Sequence, residues 1–125
     1  MQHSYSRRFD PSAPVLTISL GVPFSPEMVQ VETLIDSGSD MAVVPERIVE
    51  QLQLRHADYV TVSGLELETR EIPVYAVTVN IEGVFSPTIQ GVIAWEKDYS
   101  LLGRDVLNSH VVILDGPNRQ LEVRA

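Results

Sequence analysis

The sequence predicts one mainly β domain with one or two short helices, and three observations predict it. First, the chain has 125 residues and is 44% hydrophobic, which is the size of one ordinary domain with enough apolar material for a core. Second, most apolar residues fall in short runs, several of them alternating with polar ones, and Pro, Gly, Asn, Asp and Ser punctuate the runs. Third, only two short stretches carry helical patterning. Residues 1–13 read as a polar arm, mobile or lent to a partner as a strand, because Pro11 and Pro14 stop any helix. Residues 14–125 form the domain.

The elements follow in order. "VLTISLGV" (15–22) and "MVQVETLI" (28–35) are β-rich, and in the second Val29, Val31 and Thr33 alternate with Gln30, Glu32 and Leu34. "PFSPE" between them carries the residues of a hairpin loop. "MAVV" (41–44) reads as a short buried strand. "PERIVEQLQL" (45–54) reads as a helix: Pro45 suits its first position, Glu46 favours the positive end of the dipole, and Ile48, Val49 and Leu52 share a face. Strand patterning returns over 58–82, with Leu65 and Leu67 alternating against Glu66 and Glu68 and Gly64 as the turn residue. Further strands are predicted at 85–94, 111–115 and 120–124, with "DGPN" (115–118) turning between the last two. "LLGRDVLN" (101–108) is predicted as the second helix.

Charge and composition exclude several functions. Seventeen Asp and Glu against nine Lys and Arg give a net charge of −8, so no general nucleic-acid surface is expected; Arg7 and Arg8 alone are too few. The chain has no cysteine, and His3, His56 and His110 are scattered without ligand spacing, so neither disulfides nor a metal site is expected. No run reaches the roughly 18 apolar residues of a membrane span, and the first residues have no apolar signal segment, so a cytoplasmic protein without membrane attachment is expected.

"LIDSGSDMAVVP" (34–45) is the stretch that bears on chemistry. Asp36-Ser37-Gly38 fits an ordinary strand-end turn, in which Asp bonds backbone N–H groups two residues on. It lies between two apolar runs, however, where a carboxylate is costly unless paired, hydrogen-bonded or neutralised. The triplet occurs once in the chain. If Asp36 works as half of a carboxylate pair, the other half comes from a second chain.

Taken with "VPERIVEQL", "LLGRDVL" and "VVILDGPNRQLEV", this stretch resembles the single-domain, retroviral-type (retropepsin-like) aspartic proteases. These carry Asp-Thr/Ser-Gly in a catalytic loop and an apolar-apolar-Gly-Arg-Asp/Asn segment near the C-terminus. The resemblance spans about 14–124. It implies a closed β-barrel of the acid protease fold, a flap hairpin and a two-fold symmetric homodimer. It implies an aspartic endopeptidase acting without cofactor or metal on extended polypeptide, with Asp36 of each chain as the catalytic dyad. Ser37 would brace the partner chain's loop through its hydroxyl, and Gly38 would let substrate backbone approach. Arg104, helped by Gly103, would support the loop from below by pairing with Asp40, which could also bond substrate backbone. Leu101 would lie near a specificity pocket. The flap would fall within about 59–75, with its tip at Ser63, Gly64 and Leu65 closing over the peptide. Trp95 either lines the substrate groove with Lys97, Asp98 and Tyr99 or belongs to the core. The rival reading is a protease-fold module that binds peptide or dimerises without hydrolysis.

Overall fold

The first long strands form because every second side chain, or nearly every one, has an apolar interior to enter. The computed structural model describes residues 2–63, 69–81 and 84–124. Strand β1 is Gln2–Ser4, β2 is Val15–Gly21 and β3 is Met28–Ile35. β2 and β3 pair antiparallel from Val15↔Leu34 to Gly21↔Met28, as their patterning predicts. Leu16, Ile18 and Leu20 are each 1% exposed, so β2 is a central stave of the core.

β4 is Val43–Pro45, buried throughout, and it leads directly into helix α1, Glu46–Leu52. Pro45 is not the first helical residue, as expected, but the N-cap, with extended backbone (φ −62°, ψ 138°). The helix is shorter than the predicted 45–54 because Gln53 turns into the left-handed region (φ 51°), where its N–H bonds the Glu50 carbonyl. Ile48 and Leu52 face the core, with Val49 packed against it.

β5 is His56–Ser63, β6 is Thr69–Ile81 and β7 is Val84–Trp95. The alternation read over Leu65–Glu68 and the turn at Gly64 lie outside the described residues. The inner half of β6 pairs with β7 and, from Thr78 to Ile81, with β2; its outer half pairs with β5.

β8 is Ser100–Leu102 and α2 is Arg104–Leu107. Only the second half of the predicted 101–108 helix is therefore helical. Leu101 and Leu102 are strand residues because they pair in parallel with Leu34 and Ile35 of β3. A long-range ladder overrides their local helix preference. The sheet order β2-β3-β8-β4-β7-β6 closes back onto β2, giving a six-stranded barrel with β5 outside the ring on β6.

β9 (Val111–Asp115) and β10 (Gln120–Arg124) flank the turn at 116–119 and form a second sheet in the order β1-β10-β9. Within this chain the N-terminal arm begins as a strand: Gln2, His3 and Ser4 pair with Glu122, Leu121 and Gln120. Leu121 and Val123, 0% and 2% exposed, tie this small sheet into the barrel's core. Among the described residues, no helix is long and apolar enough to cross a membrane.

Candidate active site

β3 delivers Asp36 to the mouth of the barrel, where the chain must turn before β4. The turn is held from both sides. The Asp36 N–H donates to the Leu102 carbonyl (3.0 Å), so the parallel β3–β8 ladder continues one residue past β3. The Ser39 N–H donates to the Asp36 carbonyl (3.2 Å), and the Gly38 N–H donates to Asp36 Oδ1 (3.0 Å). The carboxylate is thus oriented by its own loop, half-buried, with Oδ2 directed to no partner among the described residues. No described cation forms an ion pair with it.

The segment Gly103-Arg104-Asp105 clamps this loop through three separate contacts. Gly103 lies so close to it that a Cβ there would sit 2.6 Å from the Met41 carbonyl carbon and 2.9 Å from the Ser39 oxygen. No side chain larger than hydrogen fits at that distance. Arg104 donates from its backbone N–H to the Ser39 carbonyl (2.8 Å) and from Nη1 to the Ser37 carbonyl (2.6 Å). Asp105 accepts the Ala42 N–H at Oδ2 (3.0 Å) and the Val106 N–H at Oδ1 (2.9 Å). The Ser39 hydroxyl donates to the Met41 carbonyl (2.6 Å), closing the loop on itself.

One expectation needs correction. Arg104 does not pair with Asp40; its guanidinium takes the Ser37 carbonyl, leaving Asp40 exposed on the groove. A backbone carbonyl held at 2.6 Å serves the bracing purpose without a second charge. Leu101 lies in the barrel wall, paired with Leu34 of β3 and Val43 of β4. Asp105 was missed as a site residue, although it directly follows the Gly-Arg of the motif.

The loop opens into a groove of about 630 Å³ lined by Asp36, Gly38, Ser39, Asp40 and Met41, with Val60 and Thr61 of β5 and Ile93 of β7. One wall therefore carries the carboxylate, and β5 supplies another. Ser37 is exposed beside it. Ser63 ends β5, while Gly64 and Leu65, expected at a flap tip, lie outside the described residues.

Trp95 is half-buried, outside the core cluster, and is anchored within its own loop. Its indole N–H donates to the Tyr99 carbonyl (2.7 Å), its ring meets Tyr99 edge-on, and the Lys97 ammonium lies 5.6 Å from its centroid. Arg8 clasps the same loop to the N-terminal arm, bonding Glu32 (3.0 Å) and Asp98 and lying over Phe9 and Tyr99. The hydrogen bond to Glu32 is the main cause holding the Arg8 pKa above its ordinary value.

Residues 25–109 match the family described as "gag-polyprotein putative aspartyl protease". No curated protein matches the chain. Among solved structures, a retropepsin-like aspartic protease from Rickettsia conorii is similar, at 16% identity and a TM-score of 0.61, covering 97% of this chain and 86% of that one. The EIAV protease complexed with the inhibitor HBY-793 is 18% identical, with a TM-score of 0.59 and coverage of 86% and 93%. The simian foamy virus protease in solution is 20% identical, with a TM-score of 0.53 and coverage of 74% and 91%. At these identities the likeness is one of fold.

Proposed function

Because the chain belongs to the gag-polyprotein aspartyl protease family, we propose that it is an aspartic endopeptidase whose active site is assembled from two copies. The observation that carries this reading is the Asp36 loop. One half-buried carboxylate is oriented by the Gly38 N–H, held in a loop clamped by Gly103, Arg104 and Asp105, and opened toward a groove of about 630 Å³.

The chemistry follows from the pairing of two such carboxylates. At about 3 Å apart they cannot both ionise cheaply, so they share a proton. The ionised Asp36 takes a proton from a water held between them, and the protonated one donates a hydrogen bond to the scissile carbonyl oxygen. The water oxygen adds to the carbonyl carbon. Collapse of the tetrahedral intermediate passes a proton to the amide nitrogen and breaks the C–N bond. The titration belongs to the dyad, not to one residue.

In this reading Ser37 braces the partner's loop, and Gly38 and Asp40 border the substrate backbone. The flap role falls to the paired strands β5 and β6. Val60 and Thr61 on the groove wall support that assignment. Met41, Val60 and Ile93 favour apolar side chains in the substrate.

The test is Asp36→Asn, assayed on a diverse peptide mixture with products identified by mass spectrometry. Cleavage within extended apolar segments is expected to fall by about 10²- to 10⁴-fold with the fold unchanged by circular dichroism. Equal cleavage by the variant would overturn the assignment. Peptide binding by the wild type without any cleavage would favour the non-catalytic binding module.

A further inference from the structure

Arg7-Arg8 is the one pair of adjacent cations in a chain of net charge −8, and the fold gives the two residues different surroundings. Arg8 is committed to Glu32 and Asp98. Arg7 is exposed and makes no ion pair or side-chain hydrogen bond among the described residues. It lines a second groove, of about 720 Å³, between the arm and the β9–β10 turn. Both sides of that groove are anchored. Ser6 and Ala13 exchange N–H bonds of 2.8 and 3.1 Å, which closes the arm into a loop over 7–12. The Tyr5 N–H donates to the Arg119 carbonyl (2.9 Å), which ties that loop to the turn.

Arg119 lines the same groove from the turn. It too is exposed, with no ion pair or side-chain hydrogen bond among the described residues. Its backbone is left-handed (φ 50°), a region that Asn or Gly takes more readily, but the neighbouring Asn118 is committed to Asp115. Two unpaired guanidiniums therefore share one concave surface of an acidic protein. Half-buried Tyr5 and Phe9 add aromatic wall beside them, and Asp10 adds one carboxylate.

We propose that this groove binds an acidic polypeptide segment, with carboxylate side chains on Arg7 and Arg119 and apolar side chains on Tyr5 and Phe9. A guanidinium presents a planar fork of donors that a carboxylate fits bidentately. A volume of about 720 Å³ is far more than one small anion fills and lies within the range of sites for larger ligands. Asp10 discriminates between kinds of anion. A phosphate group brings acceptors alone to a groove that already holds a carboxylate, whereas a peptide also brings backbone N–H groups for Asp10 to accept. Overall charge acts in the same direction: at net −8 a continuous polyanion is repelled, and two guanidiniums offset this only locally. Carboxylates spaced by apolar residues suit such a surface better. None of these residues lines the Asp36 groove, so the inference stands apart from the protease reading.

The test is fluorescence anisotropy with a labelled octapeptide of alternating Glu and Leu, and with its Gln-Leu counterpart as the neutral control. The full chain carries Asp36→Asn so that cleavage cannot consume the probe. The Glu peptide is expected to bind at least about tenfold more tightly than the Gln peptide, and about 0.5 M salt is expected to erase most of the difference. Arg7→Gln and Arg119→Gln should each weaken binding by about threefold to fivefold, and the double variant by more than about tenfold, with unchanged circular dichroism. Arg55→Gln, an exposed arginine outside the groove, should leave binding unchanged. Equal affinity of the double variant and its parent overturns the proposal, as does an equal loss in Arg55→Gln, which would mark a general effect of charge. Displacement of the probe by millimolar inorganic phosphate, or tighter binding of an oligouridylate through the same two arginines, overturns the peptide as occupant.

Discussion

Gly103→Ala is the substitution whose cost can be worked most directly from the coordinates. An added Cβ would meet the Met41 carbonyl carbon at 2.6 Å, its oxygen at 2.7 Å and the Ser39 oxygen at 2.9 Å. All three are backbone atoms, so no side chain can swing aside. Ordinary contact begins at 3.4 Å, and the 39–41 loop must therefore retreat by about 0.8 Å or the Gly103 backbone must shift by as much. Overpacking of this kind costs about 1–3 kcal/mol, and three backbone contacts argue for the upper half of that range. With an unfolding entropy near 0.26 kcal/mol per kelvin for 125 residues, Tm should fall by about 8–12 °C. The same retreat moves the far end of the Asp36 loop, and a displacement near 1 Å can cost about 100-fold in rate. Thermal unfolding by calorimetry, together with kcat/KM on a cleaved peptide, measures both. Gly116→Ala is the control, since a Cβ there meets nothing within 4 Å and should change stability by less than about 0.5 kcal/mol. A Gly103→Ala protein with the Tm of the control would refute the claim that backbone contact at Gly103 positions the loop.

Other predictions address the remaining braces and the arm. Asp105→Ala strips the acceptor from the Ala42 N–H beside the buried start of β4 and should destabilise by about 1–3 kcal/mol, read as a lower denaturant midpoint with unchanged slope. Arg104→Met removes the side-chain bond to the Ser37 carbonyl; because Arg104 is exposed, stability should drop by only about 1 kcal/mol, while kcat falls more than KM rises if the guanidinium orients the dyad. His3 is pushed below its ordinary 6.5, chiefly by burial, so the fold favours its neutral form. Its contribution to docking β1 on β10 is thus complete above pH 6.5 and is lost as pH falls through the lower folded value. Hydrogen-exchange protection of the β1 and β10 amides, corrected for intrinsic rates, should weaken from pH 7.5 to pH 5 in wild type and change little in His3→Asn.

The parts legible in the sequence were those governed by neighbours along the chain. Alternation in 15–35 and 111–124 marks strands because side chains two apart share a face whatever lies opposite. Pro45 and Glu46 mark a helix start for equally local reasons, and Asp36-Ser37-Gly38 names its own turn. What the chain could not show by itself were the partners chosen across long separations. Leu101 and Leu102 look helical until β3 pairs with them, and Arg104 looks destined for Asp40 until the Ser37 carbonyl comes closer. The polar arm names no partner strand in its sequence; its pairing with β10 is a matter of register that only the assembled sheet makes visible. β9 carries the same kind of apolar run as β2, yet β2 ends inside the barrel and β9 on an open edge. A sequence specifies which faces are apolar through its local periodicity. Which of those faces is covered, and by what, depends on contacts between residues far apart in the chain, and that is decided only when the barrel closes.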